Sequence, residues 1–257
     1  MIPADLAAPF AALRAKRPDL GVSIHWHERI GSTMDDAALL AANEGLALPV
    51  VIADEQTSGR GRRGHTWESP PGAGLYLSLV WRQASMTTLP LVTLAAGLGV
   101  REGIQAVTGL AADVKWPNDL LVGPRKLAGL LAEGIAIGSP AQAVIIGVGI
   151  NLMPAVYLPA VATRATSLEG ELGRSVDRGE VMCHVIESLV DRLAGLNANA
   201  SDILQAWRAA SPSSVGTRVE GDSKSGVTAG IDDTGALLVT TNLGTERIIA
   251  GELRWIL

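Results

Sequence analysis

One cysteine, Cys183, is all the chain holds among 257 residues. A lone thiol excludes an intrachain disulfide and any zinc cluster built on cysteines. It falls inside a helical pattern, where a small buried hydrophobe is the expected role. Also missing is a basic start followed by an apolar core. "MIPADLAAPFAALRAKRPDL" does not have the form of a signal peptide. Charge is absent from Gly134 to Thr163, which raises the question of a membrane span. Pro140, Pro154, Pro159, Gln142 and Asn151 interrupt that run, so a buried strand with loops is expected instead. Nor is there an excess of positive charge. A formal net charge of −5 and a pI near 5.4 argue against a basic nucleic-acid-binding face. Internal repeats and low-complexity segments are lacking too. What remains is an ordinary globular balance, 47% hydrophobic and 18% charged, sufficient for a large core. A reducing cytoplasm fits these absences.

The periodicities that are present predict an α+β protein. "VSIHWHERI" alternates, with Val22, Ile24 and Trp26 on one face and the surface residues Ser23, His25 and His27 on the other. "STMDDAALLAANEG" reads as a helix capped by Ser32 or Thr33 and stopped at Gly45. "PVVIADEQ" and "GLYLSLVW" are strands, and "LPLVTLAAGLGVREGIQAVTG" is a helix. "DVKWPNDLLV" and "RKLAGLLAE" are two strand-like runs joined at Gly123-Pro124, and "AQAVIIGVGINL" is a further buried strand. "RGEVMCHVIESLVDRLAGL" is an amphipathic helix, followed by the shorter "SDILQAWRAA". After "SPSSVG" the texture changes to short strands punctuated by glycine and aspartate. The expectation is a catalytic domain over 1–210 and a small β-barrel over 211–257.

"QTSGRGRRGHTW" (Gln56 to Trp67) gathers cations onto a glycine-rich backbone in an otherwise acidic chain. Gly59, Gly61 and Gly64 match G-x-G-x-x-G after a strand, yet Ser69-Pro70-Pro71-Gly72 cannot open the long helix a dinucleotide fingerprint needs. No Gly-Lys-Ser/Thr follows, which removes a phosphate-cradling P-loop. Arg-Gly tethers for RNA come as repeats in low-complexity tails, and this is a single copy between strands. An ordinary solvated loop and a cover for a small anionic ligand both stay open on this stretch alone. In "KWPNDLLVGPRKLAGLLAE", Lys115, Asn118, Asp119 and Lys126 punctuate apolar β-runs. A lysine at the head of a buried strand must meet an anion or shift its pKa. The competing reading is a hairpin with charged ends.

"GSTMDDA", "DEQTSGRGRRGHTWESPPGAGLYLSL", "KWPNDLLVGPRKLAGLLAE", "GVGINL" and "ATSLEGELG" occur in the order found in biotin protein ligases, over about residues 29–172. "GIDDTGALLVTTNLGTERIIAGEL" is similar to that family's C-terminal domain. The resemblance implies a mixed β-sheet with flanking helices, of the class II synthetase and biotin–lipoate ligase type, plus an SH3-like C-terminal domain. It implies a reaction in which the biotin carboxylate attacks the α-phosphate of ATP, releases pyrophosphate and forms biotinyl-5′-AMP. A lysine of the biotin carboxyl carrier protein of acetyl-CoA carboxylase or a related carboxylase then takes the biotin. Mg²⁺ is expected on the triphosphate. Residues 1–21 precede the first strand, which implies the short type without a DNA-binding winged helix, hence no DNA partner and no membrane. A monomer or a homodimer fits equally.

Carried over by position, Lys126, Arg60 and Asp119 take the catalytic roles. Lys126 bridges the biotin carboxylate and α-phosphate, and Asp119 orients or deprotonates the acceptor lysine. Ser32, Thr33, Met34, Gln56, Gly59, Arg60, Gly61, Arg62, Trp67 and Lys126 are implied to contact biotin. Arg60, Arg62, Arg63, Asn118, Lys126 and Asn151 are implied to contact ATP, and no residue is assigned to a metal. The glycines would let the stretch move, and its arginines would make closure depend on an anionic guest. Met34 and His65 depart from the residues common at those places, which puts local ligand contacts in doubt. The alternatives are a lipoate–protein ligase, a DNA-binding biotin sensor, and a catalytically silent carrier-binding module.

Overall fold

The computed structural model describes residues 1–82, 89–137, 141–155, 159–221, 224–249, 251 and 253–256. Helix α1 (Ala4–Lys16) leads to β1 (Val22–Ile30), α2 (Thr33–Ala41), β2 (Leu48–Gln56), β3 (Gly74–Trp81) and the long α3 (Leu89–Thr108). Next come β4 (Asp113–Lys115), β5 (Asp119–Val122), β6 (Arg125–Ile137) and β7 (Ala141–Asn151). These seven strands form one mixed sheet in the order β1-β2-β3-β7-β6-β5-β4, with β1 and β2 parallel and the other neighbours antiparallel. Two short helices, α4 (Pro159–Ala162) and α5 (Leu168–Leu172), precede α6 (Arg178–Ala198) and α7 (Ala200–Ala210). Strands β8 (Val215–Gly221), β9 (Lys224–Ile231), β10 (Leu237–Thr241), β11 (Gly244–Ile248) and β12 (Arg254–Ile256) make a five-stranded antiparallel sheet of SH3-like type, in the order β11-β10-β9-β8-β12.

The large sheet is apolar on both faces, and each face has its own cover. On one side α1, α3 and α6 close the main core with Leu75, Leu77 and Leu79 of β3. Close approach of α3 and α6 depends on glycine: a methyl at Gly99 would lie 2.5 Å from Leu189 Cα, and one at Gly103 the same distance from Val185 Cα. On the other side α2 lays Met34, Ala37 and Ala41 on Val51, Val80, Ala143 and Ile145. This double cover explains why β3 is buried along its whole length. Helix α2 spans only part of its face and leaves the β6–β7 end for the glycine-rich stretch.

Several expectations need correction. "DVKWPNDLLV" is two strands folded into a hairpin through a cis Trp116–Pro117 bond, because the Pro-Asn turn breaks the ladder. Ser32 is the cap of α2, and the helix ends at Ala41, before Gly45. His25 and His27 are half-buried, and His27 Nε2 lies 2.8 Å from Asp36 Oδ2 on α2. Helix α1 has no counterpart in the sequence reading. Cys183 lies buried in α6, and its thiol is pushed up to about 12, chiefly by burial, with neighbouring carboxylates adding to it. Pro140 lies outside the described residues. Among those described, no helix is long and apolar enough to cross a membrane.

Candidate functional site

Gly129 of β6 and Gly149 of β7 are direct partners across the sheet, and together they make a flat floor beyond the end of α2. The Trp67 indole lies on that floor. A methyl built on Gly149 would sit 2.3 Å from Trp67 Cε2, and one on Gly129 would sit 2.9 Å from Cζ3. Two residues along β7, Gly147 receives Met34 in the same way, with 2.8 Å to Sδ. Glycines two apart in a buried strand therefore seat two large side chains on one face. Met34, implied to contact biotin, packs into the small core under α2.

Lys126 reaches this floor because β6 carries a bulge. Leu120 pairs with Ala128 while Leu121 pairs with Lys126, so Leu127 is an extra residue. Strict alternation would put Lys126 and Gly129 on opposite faces. The inserted residue turns Lys126 to the same face as Gly129. Its Nζ lies 2.6 Å from Asp119 Oδ1 and 5.2 Å above the Trp67 ring. The backbone of Lys126 is fixed as well. Its N–H donates to Arg164 O at 2.7 Å, and its carbonyl accepts from Thr166 N–H at 2.9 Å. Asn151, 5% exposed, donates its Nδ2 to Thr166 O at 2.8 Å and to Lys126 O at 3.4 Å. Asn118 donates to Leu130 O. Both asparagines, implied to contact ATP, thus tie strand ends together in this geometry.

The glycine-rich stretch is a hydrogen-bonded hairpin. Trp67 N–H donates to Gly59 O at 2.9 Å, and Gly61 N–H donates to His65 O at 2.7 Å. Between them a 3-10 turn, Arg62–Gly64, places Arg63 at φ +54° and Gly64 at φ +78°. Gly59 is needed for close approach, since a methyl there would lie 2.3 Å from Trp67 O. Gln56 anchors the base of the hairpin. Its Oε1 accepts from Thr33 N–H at 2.9 Å and from Thr33 Oγ1 at 3.1 Å, and its Nε2 donates to Ser69 Oγ at 2.8 Å. Thr33 Oγ1 lies 2.8 Å from Ser78 Oγ. Two sequence motifs, GSTMDDA and the long glycine–arginine stretch, are thereby joined at one point. Arg60 pairs with Asp35 of α2 at 3.1 Å and Glu133 of β6 at 3.3 Å. Arg62 and Arg63 occupy the turn. Beside the hairpin runs a groove of about 410 Å³ lined by Gln56, Gly59, Trp67 and Ser69 among others, within the size of small-molecule sites.

Residues 26–151 match the model of the Biotin/lipoate A/B protein ligase family, and residues 215–253 match that of the Biotin protein ligase C terminal domain. The bifunctional ligase/repressor BirA of Bacillus subtilis (strain 168) is 32% identical over 241 residues, covering 91% of this chain and 74% of that one. The biotin–[acetyl-CoA-carboxylase] ligase of Paracoccus denitrificans is 34% identical over 212 residues, 79% of this chain and 88% of the relative. The chain belongs to the biotin protein ligase family. Among solved structures, the biotin protein ligase from Aquifex aeolicus in complex with biotin and ATP superposes with a TM-score of 0.77 at 27% identity, covering 91% of this chain and 98% of that one.

For this biotin protein ligase chain, sequence reasoning missed Gly129, Gly147, Gly149, Ser69, Ser78, Asp35 and Glu133. The alternate glycines of "GVGINL" carried a usable signal, because glycine inside a strand marks close approach. The carboxylates carried none, since their pairing with Arg60 is made only in three dimensions.

Proposed function

We propose that this chain joins biotin to ATP as biotinyl-5′-AMP and passes the biotin to a lysine of a biotin carboxyl carrier protein. The observation that carries this reading is the meeting of Lys126 and Trp67 over the paired glycines. It brings a cation, an aromatic wall and a glycine-rich cover to one place. The Trp67 indole N–H is buried with no hydrogen-bond partner among the described residues. Buried donors are nearly always satisfied, so this one suits an acceptor on a bound ligand.

In the first step a carboxylate oxygen of biotin bonds to the α-phosphorus, and pyrophosphate leaves with the electron pair. Two anions must approach, and charge builds on the α-phosphoryl oxygens. Lys126 is positioned to meet both, held in line by Asp119 and by its clamped backbone. Arg62 and Arg63 add positive charge from the hairpin turn, and Arg60 holds its arm against Asp35 and Glu133. Ser32, Thr33 and Gln56 form a preorganised polar wall for the head of biotin. In the second step the acceptor amine bonds to the acyl carbon and AMP leaves. Asp119 is assigned the incoming lysine, whose ordinary pKa near 10.4 leaves it cationic until a proton is removed. Mg²⁺ would ride on phosphate oxygens, as is usual for nucleotide substrates. Among the described residues no three His, Cys, Asp or Glu converge to cage it, and none of the roles above runs through the ion.

The deciding experiment mixes the protein with biotin, ATP, Mg²⁺ and an apo carrier domain and weighs the carrier. A biotin-sized increase on one lysine supports the reading. No increase with biotin, or transfer of lipoate instead, overturns it.

A further inference from the structure

Arg60 does not reach Lys126's counter-ion. It turns the other way, and its Nη2 touches two carboxylates, Asp35 Oδ1 at 3.1 Å and Glu133 Oε2 at 3.3 Å. Those acids belong to different rigid elements that meet at the α2 side of the Trp67 floor, where Glu133 pairs across the sheet with Ile145 under α2. Asp35 sits in the first turn of α2, and Glu133 stands on β6, on the same face as Gly129 and two pleats beyond it. Arg60 itself lies in the arm of the hairpin, bridged to Thr66. One guanidinium therefore pins the hairpin to helix α2 and strand β6 at a single point. Helix α2 does not need Asp35 for its own start, because Ser32 supplies the cap and Asp36 is paired with His27.

The arrangement is stronger than a lone surface ion pair, which contributes little. Lifting Arg60 away breaks two contacts at once. It also leaves two like charges facing each other across the space the guanidinium filled, and that repulsion opposes opening. We infer that Asp35 and Glu133 are a two-carboxylate latch that holds the Gly59–Trp67 hairpin down over the floor. They are positioning residues, which act through Arg60 on how often the cover opens. Where it concerns the lifetime of bound biotinyl-AMP, the inference rests on the proposed function; where it concerns the hairpin, it stands alone.

The test uses the full chain carrying Asp35→Asn, Glu133→Gln or both, near-isosteric changes that keep size and remove charge. Hydrogen exchange is followed in the ligand-free protein. Amides of Gly59 to Trp67 should exchange roughly three- to tenfold faster in the double variant, as loss of a paired surface charge network predicts. Amides of β6 and β7 should be unchanged, which separates unlatching from unfolding. At about 1 M salt, where screening reaches about 3 Å, the wild-type protein should move toward the variant's rate while the variant barely responds. Biotinyl-AMP, added as the finished compound, should leave the double variant faster by a similar factor. If the hairpin exchanges faster but biotinyl-AMP binds neither protein, the latch stands and the proposed function is in trouble. Equal exchange in all four proteins, with the same salt response, overturns the latch.

Discussion

Lys126 combines a stiff backbone with a cationic head whose neighbours are an acid and an aromatic face. On the proposed function, such a fixed cation would act mainly on charge that develops during reaction, rather than on binding in the ground state. Lys126→Ala should lower adenylate formation by about 3–4 kcal/mol, the scale of a lost oxyanion-type donor, and change biotin affinity far less. Pyrophosphate release and equilibrium binding measured on the same variant check the split, and an unchanged release rate refutes the role. Gly149→Ala tests the floor. Its new methyl would overlap the Trp67 ring, so the indole should leave, with a shift in tryptophan fluorescence and a stability loss of about 1–3 kcal/mol typical of overpacking. At this scale the sequence was readable where chemistry is carried by residue type. Lys126, Arg60, Asp119 and Trp67 stand out as charges or large rings among apolar runs. The face that Lys126 points to was not readable, since it depends on a bulge at Leu127 that alternation cannot reveal.

Among the elements, the hairpin is the one whose behaviour should change with ligand. The Trp67 ring and Arg60 are among its contacts with the sheet, while the hairpin carries three glycines whose ordering costs entropy. Even with the latch closed, amides of Gly59 to Gly64 should exchange faster without ligand than with biotinyl-AMP, with β2 and β3 unaffected. Equal protection in both states would mean a rigid cover. Helices α3 and α6 should not respond to ligand, being packed backbone to backbone through the α3 glycines Gly99 and Gly103. Gly103→Ala should lower the melting temperature through backbone overlap with Val185 while leaving hairpin exchange as it was. Most elements were legible from periodicity: the alternation of β1 and the spacing of α3 and α6 leave little choice. Helix α1 escaped because Pro9 lies inside it and only Leu6, Phe10 and Leu13 are buried. The hairpin geometry escaped because glycine and arginine composition says nothing of which amide meets which carbonyl.

For the molecule as a whole, the small sheet shares the main core, and one joint between the two β-rich parts is polar. The buried Trp116 donates its indole N–H to Gly235 O at 3.0 Å, and Lys115 Nζ lies 5.5 Å from the Trp255 ring. Gly235 belongs to the turn organised by Asp232, which accepts from Thr234 N–H at 2.9 Å, Thr234 Oγ1 at 2.7 Å and Ala236 N–H at 3.1 Å. Partial burial works to raise the Asp232 carboxyl, but these donors and Arg247 outweigh it and hold the group down near 2, from an ordinary 3.8. A depressed carboxyl stabilises the fold fully above its unfolded value and loses that contribution as pH falls from about 3.8 toward 2. Melting temperatures of the wild type and Asp232→Asn should therefore differ most above pH 4 and converge near pH 2. A constant difference across that range would remove the carboxylate from the account. The division into two β-rich parts was visible in the change of texture after "SPSSVG", whereas the joint was not, because it couples residues far apart in the chain.

The Trp116–Gly235 bond spans 119 positions of sequence. During synthesis, Trp116 leaves the ribosome long before its acceptor exists. At roughly 5–20 residues per second the wait is about 6–24 s. Through that interval the Trp116 indole, beside the turn that leads into Asp119, lacks its acceptor, and the expected consequence is that the neighbourhood of Lys126 matures only when the small sheet has emerged and docked. A nascent chain stalled before β9 should thus fold its large sheet yet bind nucleotide poorly, and release of the remaining strands should restore binding without further rearrangement of the core.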